Sequence, residues 1–335
     1  MRLDLGGHPI HTRALSVELT LGEDGKIAAA ADLVDLRKRG FVPVGSELQG
    51  SGIIHQMGVD AVVDPATLTL ETLRARQPVV AFEPSLATKG ESCRDVVSGL
   101  SALCGLRLDE RASERLREAM GGALGCSHLL AAAQLLCSTL CWLAPRGDLD
   151  VDAPAWSASA HRRLFRRDLV FDAGDLEDGR MAIAVQLGDV RLAPASASAL
   201  PIERFRSHFE LRLGIELSGW PATISEIAGA ERLRSRQDFE AGHWVDRGDL
   251  LAGLRGMSLA KGATREFQRI LGGSPPILQA MLMLGPALIQ CRASFPDKWL
   301  NVASTSPGHP GLIAMADSCY MWRRGGALEK LRTGG

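Results

Sequence analysis

"DGKIAAAADLVDLR" (Asp24–Arg37) returns as "DGRMAIAVQLGDVR" (Asp178–Arg191), a displacement of 154 residues that carries Asp35 onto Asp189 and Arg37 onto Arg191. A match of this length inside one chain marks an internal repeat, so the fold question becomes what one unit builds. Further on, "GLSALCGLRL" and "AMGGALGCSHLL" correspond to "DLLAGLRGMSL" and "ILGGSPPILQA" at a displacement of 151, from Gly105 to Gly256 and from Gly121 to Gly272. At the start of each unit, His11 and Arg13 align with His161 and Arg163 at a displacement of 150. The chain thus divides into a first copy over residues 1–143 and a linker over 144–160 rich in Pro, Gly, Ser and Asp. A second, degenerate copy over 161–291 and a C-terminal extension over 292–335 complete it.

Within one unit the pattern is strands first, helices after. In "TRALSVELTL" (Thr12–Leu21) the residues Leu15, Val17, Leu19 and Leu21 alternate with Ser16, Glu18 and Thr20, as a half-buried strand requires. "GEDGK" supplies a hairpin turn, and "IIHQMGVDAVVD" and "TLTLETLRA" give two more strands around Asp64 and Pro65. Ser92–Cys104, Asp109–Met120 and Ser127–Leu143 carry helical patterns, with Gly121 and Gly122 closing the middle one. The expected class is α+β: a tandem duplication, or pseudo-dimer, of an antiparallel sheet covered by about three helices per copy.

Composition narrows the partners. The 335 residues carry 38 Lys and Arg against 39 Asp and Glu, a formal charge of -1, which gives no basic field for nucleic acid or an acidic membrane. The start "MRLDLGGHPI" lacks an apolar core, and Leu129–Leu143, interrupted by Gln134, falls short of a membrane span. A cytoplasmic protein with a small-molecule partner is expected, with a homodimer left open. Seven cysteines without a Cys-x-x-Cys pair argue against a disulfide framework and a zinc ribbon. The glycine clusters match neither phosphate-binding fingerprint, and no G-x-S-x-G elbow occurs, so no nucleotide or redox cofactor is expected.

The two copies act as controls on each other. Arg13, Arg163, His11, Asp35 and Arg37 have counterparts, which fits either a buried Arg–Asp pair closing one end of each sheet or a site in which Arg13 or Arg163, near the pseudo-twofold axis, holds a carboxylate or phenolate substrate. His55 shares strand parity with Ile53, Met57, Val59 and Val63 and points to the covered face, whereas in-phase positions of the second copy hold Ser207 and Phe209. A displacement of 151 carries Cys93 to Trp244, Cys126 to Ile277 and His128 to Gln279, so chemistry confined to the first copy is the better site candidate. Cys126 and His128 open a helix, where the dipole favours a thiolate and a neutral imidazole. The alternative for Cys126 is a small buried hydrophobe, and for Asp60 and Asp64 a solvated or turn-forming acid. His243, beside Trp244, and His309, between prolines, could line a pocket between copies.

The order "HTR", "IHQMGVDAVVD" and "GCSHL" over residues 8–143 resembles a bacterial family of unknown function with a Gly-Cys-Thr-His-Leu signature, Ser127 standing where that signature has Thr. The resemblance implies a place in catabolism of aromatic or acyl compounds. The topology also resembles, more distantly, the U-type iron–sulfur scaffold proteins. That likeness places Cys93 and Cys126 at the second and third cluster ligands, while His55 and Met57 replace the first cysteine and its following aspartate. The functional expectation is a lyase, hydratase or isomerase working by acid–base chemistry, with His55 and His128 as acid and base, Asp60 as a further catalytic candidate, and His11, Arg13 and Arg163 binding substrate. No cofactor is expected. Alternatives are a zinc or iron enzyme using His55, Cys93, Cys126 and His128 as ligands, and a non-catalytic metal- or ligand-binding module.

Overall fold

The computed structural model describes residues 7–333, except 45–46, 110, 148, 150–162, 177–178, 194–199, 220–221, 239–241, 261 and 294–315. The expected boundary between linker and second copy, and the first part of the C-terminal extension with His309, lie outside the described residues. Strands β1 (His8–Leu21), β2 (Ile27–Arg37), β5 (Gly52–Asp64) and β6 (Thr69–Val79) come from the first half of the chain. Strands β7 (Arg163–Asp175), β8 (Met181–Leu192), β9 (Phe205–Ser218), β10 (Thr223–Ser235) and β11 (Val245–Asp246) come from the second. Together they make one nine-stranded antiparallel sheet in the order β11-β10-β9-β8-β7-β1-β2-β5-β6, while β3 (Val42–Val44) and β4 (Glu47–Gln49) form a separate ribbon.

The join between halves is the β1–β7 pair, and its register is self-complementary. Leu15 lies opposite Leu169, Arg13 opposite Phe171 and Val17 opposite Arg167. All these positions interconvert at a displacement of 154, so a local twofold passes through Leu15 and Leu169. The same displacement relates Arg13 opposite Asp35 to Arg167 opposite Asp189, and Asp35 opposite His55 to Asp189 opposite Phe209. This register corrects the alignment of the first strands. Arg13 corresponds to Arg167 and His11 to Phe165, because the matched Arg–Asp pairs fix the alignment more strongly than the short His-x-Arg echo at 150.

One sheet face is covered by α2 (Ser127–Leu143) and α6 (Pro275–Ala293), with α1 (Ala112–Met120), α5 (Ala263–Leu271) and the short helices α3 (Pro201–Arg204), α4 (Gly248–Ala252) and α7 (Ala327–Thr333) around them. Helix α2 is buried nearly all round: Leu129, Ala132, Leu136 and Leu140 are inaccessible, each leucine worth about 1.5–3 kcal/mol of transfer free energy. With the 3-10 turn that follows, it makes a helical run, Ser127–Arg146, long and apolar enough to cross a membrane, yet most of that run is packed inside this protein. Helix α2 has the bounds its apolar pattern gives, and α1 starts at Ala112 after Asp109 accepts the Arg111 N–H. The expected helix over Ser92–Cys104 shrinks to a 3-10 turn at Val97–Leu103. There the Ser92 hydroxyl and Asp95 carboxylate bond to backbone N–H groups of Arg94 and Ser92, offering the chain an alternative to helix.

Candidate functional site

The site is built where β1, β2 and β5 lie side by side under the start of α2. Asp35, fully buried, receives Arg13 through two parallel bonds, Nε to Oδ1 and Nη2 to Oδ2, both 2.8 Å. His11 Nε2 stands 3.0 Å from Oδ1, and His55 Nδ1 and His128 Nε2 stand 3.2 and 3.4 Å from Oδ2. The His55 approach is too oblique for a well-formed hydrogen bond, so Coulomb attraction carries that contact. The ring centroids of His55 and His128 are 3.7 Å apart with a 30° tilt.

Burial decides the charge states. Desolvation lowers the His55 pKa below the ordinary imidazole value despite the nearby Asp35 carboxylate. Desolvation pushes His128 further down, assisted by His55 and Arg13. Burial alone would raise Asp35, but the Arg13 charge, the hydrogen bonds from His11 and Arg13 and the close approach of His55 hold it well below the usual carboxylate range. At neutral pH the Arg13–Asp35 ion pair is flanked by the neutral imidazoles of His55 and His128. The carboxylate favours the proton of His55 on Nδ1, which leaves Nε2 as the basic nitrogen. Gln290 of α6 brings its amide nitrogen 3.1 Å from His128 Nε2, while His128 Nδ1 lies 3.8 Å from Cys126 Sγ.

The second half repeats the scaffold of this cluster without its imidazoles. Arg167 donates to both oxygens of Asp189 at 2.7 Å, and its remaining nitrogen reaches Thr139 and the Gln279 amide oxygen. Phe165, Phe209 and Gln279 thus stand where the first half has His11, His55 and His128. The helices cross reciprocally: Thr139 near the end of α2 reaches Arg167, and Gln290 near the end of α6 reaches His128.

His55 and His128 open on a cavity of about 120 Å³. Its walls come from β2 (Arg37), the turn before α2 (Gly125, Cys126), the part of α6 around Pro286, and the tail segment Ser318–Trp322. Gly125 is required in that turn, since a Cβ there would lie 2.3 Å from the Met120 carbonyl oxygen. The tail is tied on by the Tyr320 N–H to the Gly125 carbonyl at 2.9 Å and by Trp322 edge-on to Phe82.

Several expectations are corrected here. Asp60 lies on the opposite sheet face, half exposed and ion-paired with Arg76 Nε at 2.7 Å, so it is remote from the cluster. Arg163 is 50 % exposed and paired with Glu18, because the aligned residue is Arg167. Arg13 does not face the cavity as a substrate clamp, since Asp35 occupies two of its nitrogens. His243 is exposed and away from the cavity. Cys126 does precede α2, but desolvation raises its thiol to about 11, outweighing the helix N–H groups, and Cys93 is raised to about 12. Both line the cavity as neutral thiols. Among the described residues, the group close enough to share a metal ion is Asp35, His55 and His128, with mutual ligand-atom distances within 4.8 Å and no cysteine in it. Sequence reasoning missed Gln290 as a neighbour of the histidines, because that contact depends on how α6 packs across α2.

Fold and site together define an α+β protein with a buried Arg–Asp–His cluster opening on a small cavity. Residues 11–141 match the family described as Protein of unknown function (DUF2889). That segment contains His11, Arg13, Asp35, Arg37, His55 and His128, whereas Gln290 and the tail lie beyond it. No curated protein and no solved structure matches the chain.

Proposed function

We propose that this protein is a cytoplasmic enzyme, free of redox cofactors, that moves a proton on a small aromatic or acyl compound, as a lyase, hydratase or isomerase does. The observation that carries this reading is the pairing of one Arg–Asp scaffold with His11, His55 and His128 and of its counterpart with Phe165, Phe209 and Gln279. We take the chain as a tandem duplication whose second copy keeps the ion pair for folding and has given up the chemistry. His55 Nε2 is the base, its ring oriented by Asp35. His128, stacked on it, is the partner that returns a proton, and the two share at most one proton because they lie so close. Arg13 and His11 are positioning residues that act through Asp35.

The test is solvent hydrogen exchange. A panel of single-ring and short acyl carboxylates, thioesters and ketones is incubated in deuterated buffer with the wild type, His55→Phe and His128→Gln, and followed by proton NMR. Catalysed exchange at a carbon of one compound, lost in both variants while they stay folded, supports the reading. Exchange that persists in both variants overturns the assignment of the two histidines.

A second reading has a specific observation in its favour: Asp35, His55 and His128 approach closely enough to ligate one zinc or iron ion. Against it, both Asp35 oxygens already accept from Arg13, and a cation there would sit against a guanidinium. A metal-binding module would retain stoichiometric zinc after dialysis and lose it in His55→Phe.

A further inference from the structure

We propose that the cavity binds its ligand as a small monocarboxylate, with Arg37 as the residue that receives the carboxylate. The inference deepens the proposed function by naming the substrate class, and rests on that reading for the site, but binding is read without turnover.

Arg37 ends β2, only 2 % exposed, and lines the cavity. Its Nη1 donates to the carbonyls of Gln49 and Gly50 at 2.8 and 3.1 Å, and Nη2 to the Gln49 side-chain oxygen at 3.0 Å. All three acceptors are neutral, and Nε is buried with no hydrogen-bond partner. A buried guanidinium without a carboxylate on it is costly unless something compensates its charge. Among the described residues the acid whose charge acts on it, Asp35, is already matched by Arg13, so with His55 and His128 neutral two guanidiniums stand there against one described carboxylate. Among the described residues lining the cavity none is acidic, and Arg37 is the lone side chain with a permanent charge.

Two further features agree. The start of α2 forms another wall, and its capping residue Cys126 makes no side-chain cap bond, leaving the positive end of a 17-residue helix directed at the same space. The rest of the wall is apolar, with Phe82, Tyr320 and Trp322 among it, which suits an apolar body behind the charged head. Size sets the scale: a cavity of about 150 Å³ holds benzene, so about 120 Å³ suits a short branched acyl group, takes a single ring only where the ring reaches toward the open side, and is too small for a nucleotide or coenzyme A. The counterpart in the second half, Arg191, instead stacks on Trp142 at 4.8 Å and lines no such cavity.

The experiment is calorimetric titration of the full chain with matched pairs of acid and primary amide: benzoate and benzamide, phenylacetate and its amide, isobutyrate and its amide. At least one carboxylate is expected to bind, with its amide weaker by about tenfold to a hundredfold, the worth of a charge-assisted pair. Arg37→Gln is expected to erase that preference, and Arg191→Gln to leave it. Amides binding as tightly as acids, or no carboxylate binding, would overturn the proposal, and the wild-type comparison stands even where Arg37→Gln fails to fold. Carboxylate binding that persists in His55→Phe, with exchange lost there, keeps the two proposals separate. Binding with no exchange on any bound ligand removes the proposed chemistry and leaves the carboxylate site.

Discussion

His128→Gln copies into the first half what the second half already carries, and its effect should change sign with pH. Near pH 7 the variant loses a neutral imidazole and gains an amide of the kind that Gln279 presents to Arg167, so stability should stay within about 1 kcal/mol of wild type. On acidification the two proteins part. His128 has a folded pKa well below its ordinary 6.5, so below about 6.5 the unfolded chain binds a proton that the folded chain refuses. Its contribution is present above that value and is lost as pH falls, at a slope approaching about 1.4 kcal/mol per pH unit until the folded value is reached. The variant lacks this term. Urea unfolding at about pH 7, 6 and 5 should therefore show wild type losing stability more steeply than His128→Gln, with the variant the more stable protein at the acid end. Parallel pH profiles would refute the claim that His128 is buried neutral, and with it the charge state on which the proton-transfer reading depends.

Asp35→Asn should destabilise by about 3–5 kcal/mol, since it leaves Arg13 buried against a neutral amide; Asp189→Asn should cost as much through Arg167 without touching ligand binding, as thermal unfolding and the titration would show. A thiol reagent at neutral pH should label exposed Cys104 first and leave Cys93 and Cys126 unmodified, their pKa values of about 12 and about 11 keeping them protonated; rapid labelling of Cys126, located by mass spectrometry, would contradict this. Treatment with a strong chelator followed by desalting should leave turnover unchanged if His55 and His128 act as bases, whereas loss restored by zinc would favour ligation by Asp35, His55 and His128.

The sheet was legible in the sequence because alternation survives wherever one face is buried: Leu15, Val17, Leu19 and Leu21 are all buried and the intervening Ser16, Glu18 and Thr20 are not. His55 was placed on the covered face for a partly mistaken reason. A bulge opposite Asp35 and Leu36 shifts the register, so Ile53, taken as its in-phase neighbour, is exposed and Ile54 is buried instead. Local parity cannot reveal a bulge. Nor could it show that Asp35, rather than a cysteine, would gather the histidines, because that depends on β2 lying between β1 and β5. Helix Ser127–Leu143 follows its apolar run because the side-chain bonds within it, from the Ser138 and Thr139 hydroxyls to the Leu135 carbonyl, span one helical turn, while those of Ser92 and Asp95 cap backbone N–H groups in a non-helical path.

The reciprocal crossing of α2 and α6 places Gln290 on His128 and Thr139 on Arg167, so each half finishes the other's interior. In an assembly of separate subunits such completion lapses on dilution, at a threshold set by the dissociation constant. Here the donor of Gln290 is carried on the same chain, at an effective concentration that dilution cannot reduce. The contact between Gln290 and His128 is therefore held within one molecule at any dilution.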